Sequence, residues 1–265
     1  MSDLDKINYL LSNYFETFLD GLVSTLILAI VGTLIGLVLG IFLALGKGLK
    51  ISKDDNALKK TLKGFVIGFC SVYSVVLRGT PMMVQALIFK FGMQALGVNF
   101  NNILSGVRIF DGWLVAGLIV IILNTTAYMG EDIRAGLNGL DNGQEEAALS
   151  LGMSKFKAFT LVVLPQCIRN TLPTLANEYI INIKDSSVLN VITVTELFLS
   201  VSIATSKNYF VIQGYVIIAV IYLTLTLIAT IIFNEITMKL DGRKHKFTFF
   251  KRAASLFTSK ERSKY

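Results

Sequence analysis

The sequence predicts an all-α polytopic membrane protein with about five transmembrane helices. Three observations carry that fold class. Of the 265 residues, 53% are hydrophobic and only 16% are charged. The apolar residues come in long runs nearly free of charge, and a span needs about 20 such residues to cross roughly 30 Å of hydrocarbon. The basic residues are clustered: Lys47, Lys50, Lys53, Lys59, Lys60 and Lys63 share one short stretch, and nine of the 25 Lys and Arg follow Ile236. Positive clusters beside spans mark the cytoplasmic side. The formal charge of +7 therefore reads as topology, not as a nucleic-acid partner.

Residues 1–19 form an amphipathic lead-in. Their apolar residues are interrupted by Asp3, Asp5, Lys6 and Glu16, and they lack the basic n-region of a cleavable signal peptide. A membrane domain over residues 20–240 and a basic cytoplasmic tail over 241–265 follow. The first span, about 21–45, carries Gly32, Gly36 and Gly40 at four-residue spacing, a pattern that lets another backbone approach closely in lipid. Packing within the chain is the expected use, with a dimer seam as the alternative. Residues 56–95 are helical in pattern but too long for one straight crossing, since about 40 residues at 1.5 Å rise reach some 60 Å. Gly79 and Pro81 offer the break, because proline removes a backbone donor. Arg78 stands beside it, either next to a water-filled pathway or paired within the fold.

Residues 96–111, with Arg108 as their one basic residue, are expected outside, followed by Trp113 at the interface. The third span, about 114–128, contains Asn124, which either faces the pathway or bonds a neighbouring helix. The fourth, about 156–183, is interrupted by Pro165 and Pro173 and continues into Lys184 and Asp185. Glu178, Asn182 and Asp185 fall at i, i+4 and i+7 and so share a helical face. That face lines an internal polar space or joins an ion-pair network with Arg169, Lys184 or Arg78. Residues 186–208 are mixed, and the last span is about 209–233. Five crossings with the lysine loop inside put the N-terminus outside and the C-terminus in the cytoplasm. Cys70 and Cys167 read as buried thiols, and with a lone His245 no zinc set is suggested.

The loop before the fourth span is the most specific stretch. Glu146, Ala147 and Ala148 are followed by Gly152, then Val162, Val163, Leu164 and Pro165. This resembles the EAA loop of bacterial ABC importer permeases, with Val162 in place of the usual Ile. Arg78-Gly79-Thr80-Pro81 with Val84-Gln85, Ala127-Tyr128 with Glu131 and Arg134, and the Lys184-Asp185-Ser186 run resemble the subfamily that imports polar amino acids. The likeness covers about residues 20–240. It implies the type I importer permease fold, and a coupling helix over Gly143, Glu145, Glu146, Ala147, Ala148 and Gly152 that docks on a separate ATP-binding cassette ATPase.

The resemblance further implies a bacterial cell membrane, a second permease chain, identical or sister, and an extracytoplasmic solute-binding protein. The implied solute is a polar amino acid met by Arg78, Thr80, Asn124, Glu178, Asn182 and Asp185. Membrane lipid is expected against the tail, where Phe247, Phe249, Phe250 and Phe257 alternate with basic residues. No cofactor is expected on this chain; ATP and Mg belong to the ATPase. The chain offers no phosphate-binding loop of its own: at Gly46-Lys47, its one Gly-Lys pair, Ile41 and Gly48 stand where Gly and Ser or Thr are required. The alternative is an ion-coupled secondary amino-acid transporter with Glu178 and Asp185 as ion sites. An intramembrane enzyme lacks a convincing nucleophile.

Overall fold

The fold was obtained as a computed structural model that describes residues 1–98, 100, 112–141 and 143–240. The expectations for the outer loop around Arg108 and for the basic tail lie outside the described residues. The helices are α1 (Asp3–Lys47), α2 (Ala57–Gly79), α3 (Met82–Ala95), α4 (Gly112–Asn138), α5 (Gly143–Ser150), α6 (Lys155–Ala158), α7 (Leu164–Asp185), α8 (Leu197–Asn208) and α9 (Val211–Leu240). A π-helical turn, Phe159–Val163, joins α6 to α7, and a 3₁₀ segment, Ser186–Ile192, follows α7. Helices α1, α2, α4 and α9 are each long and apolar enough to cross a membrane. The run from Lys155 to Ile192 with α8, bent by 54°, supplies a fifth crossing if it counts as one span.

Helix α1 begins with a reciprocal cap. Ser2 Oγ accepts from the Asp5 amide at 3.2 Å, and Asp5 Oδ2 accepts from the Ser2 amide at 2.9 Å, so two otherwise orphaned N–H groups are satisfied. The lead-in then runs into the first span as one helix, bent at Tyr14, whose φ of −123° is not helical. Further on, the glycine spacing meets α4. A Cβ on Gly32 would strike Ile121, one on Gly36 would strike Thr125, and one on Gly40 would strike Met129. The stripe is therefore consumed within the chain, where close backbone approach maximises dispersion contact.

Both residue series rise together, so α1 and α4 run in the same direction. That direction requires one net crossing between them, which α2 begins, running from Cys70 beside Gly46 to Tyr73, whose hydroxyl donates to Leu123 O at 2.7 Å. Past the break α3 continues in the same direction, with Gln85 beside Asn124 and Lys90 over the Trp113 ring, and it packs along the 3₁₀ segment and α4 with Ala86 buried beside Leu28, Leu114 and Leu189. A second apolar cluster ties Leu10 and Phe18 of α1 to Leu197 and Val201 of α8 and Ile217 of α9. The lysine loop between α1 and α2 is exposed. There Lys63 donates to Asp55, and that bond, helped by the Ser52 amide, holds the Asp55 carboxyl below the usual aspartate range.

Candidate functional site

At the break between α2 and α3, Pro81 has no N–H to offer the carbonyl of Leu77 four residues earlier. Gln85 supplies the missing donor. Its Nε2 donates to Leu77 O at 2.8 Å, to Thr80 O at 2.9 Å and to Thr80 Oγ1 at 2.9 Å. Its Oε1 accepts from Asn124 Nδ2 at 3.0 Å, and the same Nδ2 reaches Leu77 O at 3.4 Å. Asn124 is thus turned into the break, and Thr80 is exposed at its edge.

Arg78 lies between the two clamped carbonyls. Its guanidinium stands over the Tyr128 ring, 5.4 Å from the centroid, a cation–π contact. Tyr128 is one helical turn beyond Asn124, so one face of α4 carries both the clamp and the seat of the guanidinium. Further along α4 come Glu131, which pairs with Lys47 at the end of α1, and Asp132, whose Oδ2 is buried with no hydrogen-bond partner among the described residues. Arg78 interacts electrostatically with Glu131, Asp132 and Glu178. The arrangement draws α2, α4 and α7 into one charged cluster.

The three polar residues predicted to share a face of α7 are used differently. Glu178, 9% exposed, feels Asp132, Asp185 and Arg78 but closes no ion pair among the described residues. Asp185 is half-buried beside the exposed Lys184. Asn182, 4% exposed, has both ends of its amide taken. Thr125 Oγ1 donates to its Oδ1 at 3.1 Å, and its Nδ2 donates to Thr33 Oγ1 at 2.9 Å, so it joins α1, α4 and α7. Arg169 is exposed on the second turn of α7, apart from the cluster.

Two residues of the polar network were not assigned a role by sequence reasoning. Gln85 stood inside a recognised motif, and its signal was an amide four residues after a proline. Glu196 is fully buried; it caps α8 by accepting from the Phe198 and Leu199 amides, each at 2.9 Å, and from Tyr222 of α9 at 2.9 Å. A lone acid in an apolar stretch is the signal that marks it. A cavity of about 420 Å³ lies between α1, α7 and α9 and is lined chiefly by apolar side chains such as Leu26, Ile30, Ile183, Leu225 and Phe233. A zwitterion would lose its hydration there with little in return, so the charged cluster, not the cavity, is the candidate site. Among the described residues no group of three or more His, Cys, Asp or Glu is arranged to hold a metal ion.

Packed against the π-turn and α6 is α5, which contains Gly143, Glu145, Glu146, Ala147 and Ala148. Ala148 is buried, whereas Glu145, Glu146 and Ala147 are exposed. Gly152 ends the element with a left-handed φ of +83°. Its N–H reaches Leu149 O at 2.9 Å, and the Met153 N–H reaches Ala148 O at 3.2 Å, the paired bonds of a Schellman motif. Gln166, at the start of α7, donates to Gln144 Oε1 at 3.3 Å and to Val162 O in the π-turn at 2.9 Å. A short helix with an exposed acidic face is thereby tied to the base of the helix that carries Glu178 and Asp185.

Residues 57–239 match the model of the family described as binding-protein-dependent transport system inner membrane component. The chain is 32% identical over 218 residues to the probable amino-acid permease protein YxeN of Bacillus subtilis, covering 82% of this chain and 88% of that protein. It is 35% identical over 199 residues to the arginine transport system permease protein ArtQ of the same organism, covering 71% and 86%. Its fold is similar to that of an amino acid ABC transporter crystallised with histidines, with a TM-score of 0.72 and 32% identity over 90% of this chain and 99% of that one.

Proposed function

Because the chain belongs to the family of binding-protein-dependent transport system inner membrane components, we propose that it is the permease subunit of an ATP-driven bacterial importer for polar amino acids. The observation that carries the reading is α5 bound through Gln144 and Gln166 to the root of α7. An alanine-containing helix with one buried and one exposed face suits the groove of a soluble partner. In this reading the partner is an ATP-binding cassette ATPase that holds ATP and Mg, and its closure moves α7 and the charged cluster together. The chain itself has no phosphate-binding loop.

Arg78 and helix-end donors meet the substrate carboxylate, while Glu178 or Asp185 meets the ammonium or a basic side chain. Helix breaks expose such donors and acceptors at membrane depth. Two permease chains pair, because one chain carries one α5 and the engine has two ATPase subunits. The pathway then runs between them, which agrees with the exposure of Arg78, Asn177 and Lys184. A solute-binding protein delivers the amino acid on the outer side. The lysine-rich loop that follows α1 supports an N-terminus outside and a C-terminus in the cytoplasm. The similarity to an arginine transport permease and to a structure with histidines supports polar amino acids, cationic ones included.

Co-purification from the native membrane in mild detergent, followed by intact-mass identification, tests the assembly. Recovery with an ATP-binding subunit at two permease chains per two ATPases is the expected result. Recovery of this chain alone contradicts it.

A further inference from the structure

We propose that Gln85 is a positioning residue for substrate recognition: by clamping the carbonyls on either side of Arg78, it fixes where that guanidinium points. The proposal rests on the reading that Arg78 faces the transport pathway.

The geometry is specific. Pro81 leaves Leu77 O without a helical donor, and an unmet carbonyl at membrane depth is costly. Gln85 is its nearer donor, at 2.8 Å against 3.4 Å for Asn124 Nδ2, and the Thr80 hydroxyl donates back to Val76 O at 2.8 Å. Gln85 Nε2 has two hydrogens and three acceptors within 2.9 Å, so one hydrogen is shared. Its Oε1 is anchored to Asn124 on α4. Leu77, Arg78, Gly79 and Thr80 are thus held at both ends against one face of α4, and Tyr128 on that same face receives the guanidinium. Gly79 has no neighbour within 4 Å of a built Cβ and Thr80 is exposed, so surrounding side chains do little to hold the segment. Without the clamp it is free to swing about Gly79, and Arg78 swings with it.

Donor and acceptor roles can be separated. Gln85→Glu keeps an oxygen for Asn124 but cannot donate to Leu77 O or Thr80 O, and Gln85→Leu removes both. The assay is ATP-driven uptake by the complete importer, with its ATPase and binding protein, in proteoliposomes supplied with L-arginine or L-histidine. Each variant is expected to raise KM about tenfold, the scale of a lost buried hydrogen bond, with a smaller change in maximal rate per incorporated complex. Poor folding alone lowers the amount of active importer and leaves KM in place, so the split distinguishes positioning from stability. Gln85→Leu combined with Asn124→Leu is expected to cost less than the sum of the two, since the groups act as a unit. A KM unchanged in both Gln85 variants, alongside a KM raised by Arg78→Ala, overturns the clamp while leaving Arg78 in the pathway. A KM unchanged in Arg78→Ala, or no uptake of either amino acid by the unmodified importer, overturns the reading on which the clamp rests.

Discussion

Asn182 shows how a side chain read as part of a polar face becomes a joint between helices. Its amide spans Thr33 of α1 and Thr125 of α4, which leaves it little capacity for a solute. Asn182→Ala orphans both hydroxyl partners, so it is expected to destabilise the fold by about 1–2 kcal/mol and to leave the uptake KM within twofold. Thermal unfolding in detergent and uptake kinetics check this together. An unchanged midpoint with a raised KM would return Asn182 to the pathway. Helical periodicity placed Glu178, Asn182 and Asp185 on one face but did not show what stands opposite each of them. The partners are 149 and 57 residues away in sequence, and no local pattern encodes them. The same holds for Glu196 and Tyr222. Arg78 and Asn124 were legible as polar groups in apolar surroundings, and their joint use at one break was not.

At the scale of elements, the interruptions at Gly79 to Pro81 and at Gly152 were readable, whereas Pro173, expected to interrupt the fourth span, lies inside a continuous α7 and Pro165 stands in its first turn. The break between α2 and α3 sits at Gly79 to Pro81 because a missing N–H and a missing Cβ are local facts. Gly152 likewise ends its helix in the left-handed region. The 3₁₀ segment at Ser186–Ile192 contains neither residue type and follows from tertiary packing of Leu189 and Ile192 in the core around α4. The continuity of the lead-in with the first span was hidden as well, since the charges that interrupt it are tolerated on an exposed helical surface.

Gly152 also gives the element-scale prediction. No atom lies within 4 Å of a built Cβ there, so Gly152→Ala acts through the backbone alone, at about 1–2 kcal/mol for a left-handed residue. Retention of the ATPase through mild-detergent purification is expected to fall severalfold. Full retention with normal uptake would remove α5 as the coupling element.

The molecule is a set of membrane helices, and two concentrations of charge stand out among the described residues. One is the exposed lysine loop at the ends of α1 and α2. The other is the cluster of Arg78, Glu131, Asp132 and Glu178 where α2, α4 and α7 meet. Composition and hydropathy were enough for the fold class, because lipid forces every backbone group into helices or a closed barrel. The route for solute was not legible from one chain: the apolar cavity beside α7 does not suit a zwitterion, and the charged cluster opens to a surface that a second permease would complete. The decisive measurement for an ATP-driven permease is uptake of labelled L-arginine and L-histidine into proteoliposomes, comparing this chain alone with this chain plus its co-purified ATPase and binding protein. Uptake is expected only with the complete assembly and ATP on the α5 side. Uptake by this chain alone, driven by an ion gradient without ATP, would contradict it and make Glu178 and Asp185 ion sites.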